Sequence, residues 1–418
     1  MSELSRRSFL QGAAALGLAG PGTAIGLRGA RPEESQQRSL VFVFLRGGAD
    51  FLNMVIPLDD DFYALKRPGI GISPDEIVPL DSHWGLHPAL GALAPLYAAE
   101  EFLPIVNAGS PHRTRSHFDA QDFMCFGAPG MRTVHDGWLN RYLEATRGAQ
   151  QEEFRAVGMQ RLLPTSLRGS YPVLAVPDAF IDKRSKEVLG LFDEFYGADG
   201  MEDEREGDGS MEGEREDGGD VDVVESGRVT IETLRRYREI VSRPDPAAVD
   251  YPRSSFAGAL QNLARVIRAG EGLEVAGIDL NGWDHHANQG ASGGVHARLQ
   301  RDLAHSLVAF RRHLGEAFER TLIVVVTEFG RTVLENGSGG TDHGHGGGIF
   351  LLGGGLRGGK VHGDWVGLRS ERLYQGRDLP VTTDFRDVFA TVLAEHLDFK
   401  APKGFFPDYR PKKLRLFS

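Results

Sequence analysis

The sequence contains a single cysteine among its 418 residues, Cys125. One cysteine cannot form an intramolecular disulfide, so no covalent cross-link within the chain stabilises this fold in an oxidising compartment. Its context, Phe123-Met124-Cys125-Phe126, favours a buried small hydrophobe over a nucleophile. Positive charge is also scarce, since 47 lysines and arginines face 58 aspartates and glutamates, for a formal net charge of −11. Without a basic footprint, nucleic acid is not an expected partner.

The sequence also lacks an apolar run of the ~20 residues that span a bilayer, so we expect no stable membrane insertion. Near the N-terminus, Arg6-Arg7 precedes a short, glycine-rich apolar stretch and small residues at 22–24. This pattern is typical of a twin-arginine signal peptide. We therefore expect residues 1–30 to be a cleaved signal that engages the Tat translocase, and the mature chain to be periplasmic or extracellular.

Negative charge is concentrated in the segment 199–226, in which residues 201–210 are nearly repeated by residues 211–220. This segment has few apolar residues with which to form a core. It therefore predicts a disordered, acidic surface insertion within one domain that spans residues 31–418.

Outside this insertion, short apolar runs alternate with amphipathic stretches. Strands are predicted at 40–45, 102–106, 273–278, 322–326 and 349–352, and helices at 87–99, 116–126, 136–146, 229–241, 254–269, 295–318 and 384–396. The alternation predicts an α/β fold with a mostly parallel sheet and helices on both faces. Three histidines of the helix predicted at 295–318, His296, His305 and His313, are expected at the surface.

Two clusters combine carboxylates with imidazoles. Asp342-His343-Gly344-His345 precedes an apolar run, and Asp284-His285-His286 repeats the same chemistry upstream. Carboxylate oxygen and imidazole nitrogen are ligands of Zn²⁺-type ions, and glycines allow the backbone to approach closely. The two clusters therefore predict a metal site. The simpler interpretation is a flexible loop in which Asp342 caps a turn and the histidines are solvated.

Other polar residues follow predicted strands directly. Arg46 to Asp50 follows the first strand, Asp279 to His286 the third, and Glu328 to Arg331 the fourth. In an α/β fold, ligands bind beyond the carboxyl ends of the strands. We therefore expect these segments to converge at one edge of the sheet.

Six motifs carry a resemblance to a known family. The chain resembles the Tat-exported family catalogued as domain of unknown function 1501 in Arg46-Gly47-Gly48-Ala49-Asp50, Ser116-His117-Phe118-Asp119-Ala120-Gln121-Asp122, Gly282-Trp283-Asp284-His285-His286, Glu328-Phe329-Gly330-Arg331-Thr332, Gly340-Thr341-Asp342-His343-Gly344 and Val381-Thr382-Thr383-Asp384-Phe385-Arg386-Asp387. The resemblance covers nearly the whole mature chain. That family is similar to the alkaline phosphatase and sulfatase superfamily, whose members hydrolyse phosphate or sulfate esters at a metal site. The resemblance implies an alkaline phosphatase-like fold.

The resemblance also implies roles for particular residues. One or two divalent ions are expected, Zn²⁺ first, with Mn²⁺, Mg²⁺ or Ca²⁺ as alternatives. The implied metal ligands are Asp50, Asp284, His286, Glu328, Asp342, His343 and His345. The implied catalytic residues are Ser116, as a nucleophile at a helix N-terminus, and Arg331; Arg46, Arg115 and His117 would bind the substrate. Arg46, Arg115 and Arg331 are equally suited to pair with nearby carboxylates instead.

Several of these assignments have alternatives. Thr114 or a water molecule can replace Ser116 as the nucleophile, and Ser116 is equally suited to cap a helix. Asp279 competes with Asp284, and Glu328 competes with Asp342 because Glu328 directly follows a strand. Asp50 can also serve as a turn former.

The expected function is an exported, metal-dependent hydrolase whose substrate is a small anionic ester of phosphate or sulfate. The alternative is a non-catalytic exported protein of the same fold that binds or assembles surface polysaccharide. The sequence makes no prediction of the substrate's identity or of the oligomeric state.

Overall fold

The computed structural model describes residues 37–148, 154–176 and 223–418, with side chains in the last range from residue 233 onward. The predicted signal peptide, residues 1–30, lies outside these ranges. The predicted acidic insertion also lies outside them, except for its last four residues, which begin a helix at Val223. In the part of the chain that is described, no helix is long and apolar enough to cross a bilayer.

A central sheet of eight strands is confirmed as mostly parallel. The strands of the described residues are β1 (Ser39–Arg46), β2 (Val55–Pro57), β3 (Val78–Pro79), β4 (Trp84–Leu86), β5 (Phe102–Gly109), β6 (Ala156–Gly158), β7 (Leu174–Ala175), β8 (Val275–Asn281), β9 (Thr321–Thr327), β10 (Gly347–Gly353) and β11 (Thr383–Asp384). The spatial order of the central sheet is β11-β5-β10-β9-β1-β8-β6-β7, and β10 alone runs antiparallel to its neighbours. Three short strands, β2, β4 and β3, pair antiparallel in a second sheet.

Six of the seven predicted helices are found close to their predicted positions, although several boundaries differ, and the short helix at Phe62–Lys66 was not predicted. The α-helices of the described residues are α1 (Phe62–Lys66), α2 (Ala94–Ala98), α3 (His117–Phe126), α4 (Trp138–Ala145), α5 (Val223–Ser242), α6 (Ser255–Ala269), α7 (Val295–Leu314) and α8 (Phe385–Glu395). The single helix predicted at 87–99 is wrong: a 3-10 helix (Pro88–Leu93) precedes α2. Pro95 lacks an N–H group, so one regular α-helix cannot run through the junction without losing a hydrogen bond.

Helices cover both faces of the sheet, as predicted. Side chains of β1 alternate between two hydrophobic cores: Val41 and Val43 pack with α5, α6 and α7, whereas Phe42 and Phe44 pack with α3, α4 and α8. Cys125 is buried in the second core, as its apolar context predicts.

The expectation that three histidines of α7 lie at the surface is wrong for two of them. His296 and His313 are buried, whereas His305 is exposed. His296 lies on the face of α7 that carries Gln300, Leu303 and Leu307, all of them buried. Helical spacing of three and four residues therefore places this histidine toward the sheet.

The three central strands end at the same edge of the sheet. Arg46 at the end of β1 is level with Asn281 at the end of β8, and Leu45 is level with Thr327 at the end of β9. Because β10 is antiparallel, it begins at this edge, and the segment before Gly347 therefore lies there as well. This edge collects the polar segments that the sequence predicts to converge.

Candidate metal centre

Four side chains converge beyond the ends of the central strands. His117 is the first residue of α3, Asp284 and His286 lie in the loop after β8, and His343 lies in the segment before β10. The ligand atoms of His117, Asp284 and His343 all lie within 4.8 Å of one another, close enough to share a metal ion.

The imidazole Nε2 atoms form the centre of this group. Nε2 of His343 is 2.9 Å from Nε2 of His117 and 2.9 Å from Nε2 of His286. The Asp284 carboxylate lies 3.4 Å from His117 Nε2, 3.1 Å from His286 Nε2 and 3.5 Å from His343 Nε2. Two other imidazole nitrogens and one carboxylate oxygen therefore lie within 3.5 Å of His343 Nε2.

The other ring nitrogens show which tautomer each histidine adopts. Nδ1 of His343 is 2.7 Å from the Arg115 carbonyl, Nδ1 of His117 is 2.7 Å from Glu328 Oε1, and Nδ1 of His286 is 3.2 Å from Asp342 Oδ1. A carbonyl or a carboxylate only accepts hydrogen bonds, so each Nδ1 carries a proton. In its neutral form, each imidazole then carries its lone pair at Nε2. A neutral imidazole whose other nitrogen donates to a carbonyl or a carboxylate is the form in which histidine usually binds a metal ion.

The spacing and exposure of these groups also fit a metal ion. Ligand atoms bound to one ion at about 2.0–2.2 Å stand roughly 3.0–3.4 Å apart, which is close to the separations found here. The side chains of Asp284 and His286 are 46% and 45% exposed, whereas that of His343 is 23% exposed. One side of the centre is therefore open to solvent, as in metal sites that keep a position for a substrate.

Glu328 orients His117 by contacting Nδ1, the ring nitrogen that is turned away from the candidate metal position. Its carboxylate is fully buried and accepts hydrogen bonds from His117 Nδ1, from Gln121 Nε2 at 2.8 Å and from the Gly47 backbone N–H at 2.9 Å. Burial would raise the pKa of Glu328, but the hydrogen bonds from His117 and Gln121 outweigh it and hold the pKa below its ordinary value. The hydrogen bond to Glu328 in turn raises the pKa of His117.

Arg331 fixes the position of Asp284. Its buried guanidinium donates to Asp284 Oδ1 at 2.5 Å and to the carbonyls of Gly47, Gly48 and Thr341. Burial would raise the pKa of Asp284, but the hydrogen bond and positive charge of Arg331 lower it. Asp284 is therefore ionised and available to a cation.

Two glycines allow these segments to pack closely. Gly47 has a φ of +121°, and a Cβ at this position would lie 2.6 Å from the backbone nitrogen of Asp284. A Cβ at Gly344 would lie 2.5 Å from the backbone of Arg331, to which the His343 segment pairs. Residues with side chains would push both ligand segments away from the centre.

The amino-acid sequence matches a known protein family over most of its length. A family model described as "Protein of unknown function (DUF1501)" matches residues 87–402. The chain belongs to the DUF1501 family. No curated protein matches it.

Two solved structures are similar to this DUF1501 chain. A PsFucS1 sulfatase from Pseudoalteromonas sp. is 14% identical, with a TM-score of 0.35, over 86% of this chain and 68% of the sulfatase. A phosphonate monoester hydrolase of Agrobacterium radiobacter is 10% identical, with a TM-score of 0.33, over 90% of this chain and 78% of the hydrolase.

The structure brings together only some of the predicted metal ligands. Asp284, His286 and His343 contribute atoms to the centre, and the carboxylates of Glu328 and Asp342 lie behind His117 and His286. Asp279, the alternative to Asp284, lies within β8 and pairs with Arg46.

Asp50 and His345 have other contacts. The Asp50 carboxylate is buried, 2.5 Å and 3.0 Å from the Arg67 guanidinium, and it accepts a hydrogen bond from Gln289. Burial would raise the pKa of Asp50, but Arg67 lowers it. His345 is buried and stacks on Tyr374, with ring centroids 4.1 Å apart.

Both arginines expected to bind substrate have partners within the chain. Arg46 contacts Asp279 and Gln121, and Arg115 donates to Asp378 at 2.6 Å and to Gln375 at 2.9 Å. Arg331, the arginine with an implied catalytic role, pairs with Asp284.

Both candidate hydroxyl nucleophiles accept hydrogen bonds from the backbone of their own turn. Ser116 is the N-cap of α3 and accepts from the Asp119 N–H at 3.5 Å, whereas Thr114 accepts from the Ser116 N–H at 3.2 Å. The segment that carries them thus serves to begin the helix that presents His117.

The sequence analysis assigned His117 to substrate binding rather than to the metal, whereas the structure places its Nε2 atom among the candidate ligand atoms. Its position next to a capping serine is also compatible with a hydrogen bond to the helix end, and its contact His343 is 226 positions away. The sequence did contain one signal for the orientation of His117. Gln121 lies one turn later on the same face of the helix, and its side chain donates a hydrogen bond to Glu328.

Proposed function

We propose that this protein is an exported, metal-dependent hydrolase of phosphate or sulfate esters. His117, Asp284, His286 and His343 would hold one divalent cation, and an all-nitrogen-and-oxygen set with three imidazoles suits Zn²⁺. The observation that carries the proposal is that Nε2 of His343 lies 2.9 Å from two other imidazole Nε2 atoms and 3.5 Å from the Asp284 carboxylate, while the Nδ1 atom of each of the three rings contacts an oxygen acceptor. The ester class comes from the motif resemblance of the sequence to the phosphatase and sulfatase superfamily.

Bound there, a divalent cation would supply Lewis-acid chemistry by polarising an ester oxygen and making a water molecule more acidic. The chain's own residues do the positioning. Arg331 holds Asp284, Glu328 holds His117, and Asp342 holds His286, so that the ligand geometry exists before the cation arrives. The open side of the centre admits the ester and water.

We further propose that water attacks the ester. The hydroxyls of Ser116 and Thr114 support the turn that begins α3, which leaves them a structural role. Because Arg46, Arg115 and Arg331 are paired within the chain, the ester anion would be held chiefly by the cation.

The test combines metal analysis with a substrate screen. Protein purified without chelators should contain a divalent metal, and it should hydrolyse at least one chromogenic phosphate monoester, phosphate diester or sulfate ester. Dialysis against a chelator should abolish turnover, and the metal should restore it. Stoichiometric metal without turnover of any ester would contradict the hydrolase and favour the non-catalytic alternative.

A further inference from the structure

One aromatic side chain next to the candidate metal centre is largely exposed to solvent. Phe118 is 86% exposed and directly follows His117 at the start of α3. Among the described residues, six large hydrophobic side chains are exposed, and Phe118 is both the most exposed and the only aromatic one. A phenyl ring left in water forgoes the free energy of burial that the other phenylalanines of the cores gain.

The ring of Phe118 leaves the same end of α3 as the candidate ligand His117. In an α-helix, each Cα–Cβ bond is tilted toward the N-terminus. The N-terminal end of α3 is the end at which His117 meets Asp284 and His343. Phe118 lies about 100° around the helix from His117 and one turn before Asp122, which is exposed, so the ring is directed to the solvent side of this end.

The surroundings of Phe118 are polar and already satisfied. Asp119, the next residue, pairs with Arg132 at 2.8 Å and 2.9 Å. Ser116 caps the helix. The polar neighbours of Phe118 in the sequence therefore have hydrogen bonds within the chain, and the exposed ring is available to contact a ligand.

We propose that Phe118 forms the apolar wall of the substrate site and contacts the organic group of the ester. This inference rests on the proposed hydrolase function and narrows its substrates to esters whose organic group presents the face of a ring. The anionic group is held at the metal centre, and the ring of the substrate packs on Phe118.

The test compares non-hydrolysable analogues that differ only in the organic group. Phenylphosphonate and benzenesulfonate are titrated calorimetrically into the metal-loaded protein, alongside methylphosphonate and methanesulfonate. The phenyl analogue should bind roughly ten-fold more tightly than its methyl counterpart, as ring packing of this kind provides. Phe118→Ala should remove that preference without weakening the methyl analogue, and Phe118→Tyr should keep it.

Leu65→Ala is the matched control, because Leu65 is 71% exposed and lies on α1 rather than at the centre. Metal content and melting temperature should be unchanged in all three variants, since these side chains are exposed.

An unchanged preference in Phe118→Ala, no preference in the unsubstituted protein, or no binding of any analogue would overturn the inference. The inference would also be overturned if the protein self-associates, and Phe118→Ala abolishes this self-association without changing the selectivity for phenyl over methyl analogues. The ring would then be a docking surface between protein chains. Preferential binding of phenyl analogues by a protein that turns over no ester would support the inference and contradict only the hydrolase function.

Discussion

His343 uses both of its ring nitrogens in the centre. Its Nδ1 donates to the Arg115 carbonyl, and its Nε2 lies 2.9 Å from two other imidazoles. His343→Ala should therefore reduce the bound metal from ~1 ion per chain to a small fraction, because the remaining set loses its central ligand. Elemental analysis of the purified variant measures this.

The matched control for this prediction is His305→Ala, because His305 is an exposed histidine on α7. The control should retain the full metal content. Undiminished metal in His343→Ala would mean that the ion binds elsewhere in the chain.

Asp50 is predicted to matter for stability rather than for metal content. Asp50→Ala leaves the guanidinium of Arg67 buried without its partner, so the free energy of unfolding should fall by about 3–5 kcal/mol. Denaturant titration measures the loss, and elemental analysis should find the metal retained. Loss of metal from a folded Asp50→Ala protein would instead support the ligand role that the family resemblance implies.

The same pair predicts a pH dependence. The folded-state pKa of Asp50 lies below its ordinary value of 3.8. Its contribution to stability is therefore fully present above the ordinary pKa and is lost as the pH falls through the lower, folded-state pKa. The stability of Asp50→Ala should depend less on pH in this acidic range than that of the unsubstituted protein.

At the residue scale, the sequence identified ligand chemistry better than individual roles. Asp284, His286 and His343 stand in motifs rich in carboxylate and imidazole, and the fold brings them together. Glu328 and Asp342 belong to the same motifs but contact the far nitrogens of the rings. Spacing along the chain does not show which of two adjacent polar side chains faces an ion, since this depends on backbone direction at each residue.

At the scale of elements, α3 connects the metal centre to the helix cap at Ser116. Ser116→Ala removes the cap and should destabilise the protein by roughly 0.5–1 kcal/mol. If water is the nucleophile, turnover and metal content should both be retained. Measurements of kcat and melting temperature separate the two roles. Loss of turnover with normal metal content would identify Ser116 as the nucleophile.

The central strands could be predicted because their sequences are apolar throughout. Strand β9 is buried on both faces, and its run Leu322-Ile323-Val324-Val325-Val326 requires that environment. The direction of β10 had no such signal, because a buried strand has the same composition whichever way it runs. Its antiparallel course explains why the His343 segment, which precedes a strand, reaches the same edge as segments that follow strands.

At the scale of the whole molecule, export can be tested directly. The twin arginines precede a weakly apolar stretch, so Arg6→Lys combined with Arg7→Lys should leave an uncleaved precursor in the cytoplasm. Cell fractionation and the mass of the precursor measure this. Normal secretion of the double variant would remove the Tat assignment.

The sheet as a whole explains how residues 226 positions apart come into contact. Parallel strands β1, β8 and β9 end at one edge, β5 leads to α3 at the same edge, and β10 begins there. This arrangement follows from alternation of strands and helices, which the sequence displays. The pairing of particular side chains follows from loop geometry, such as the positive φ of Gly47. The sequence does not show this geometry.

The central claim is that four side chains of this edge hold one divalent cation. Anomalous diffraction from a crystal of the protein purified without chelators tests it most directly, with data collected on both sides of the metal's absorption edge. We predict one peak about 2.0–2.2 Å from Nε2 of His117, His286 and His343 and from an oxygen of Asp284. A peak coordinated by other residues, or no peak after soaking with Zn²⁺, would contradict the account.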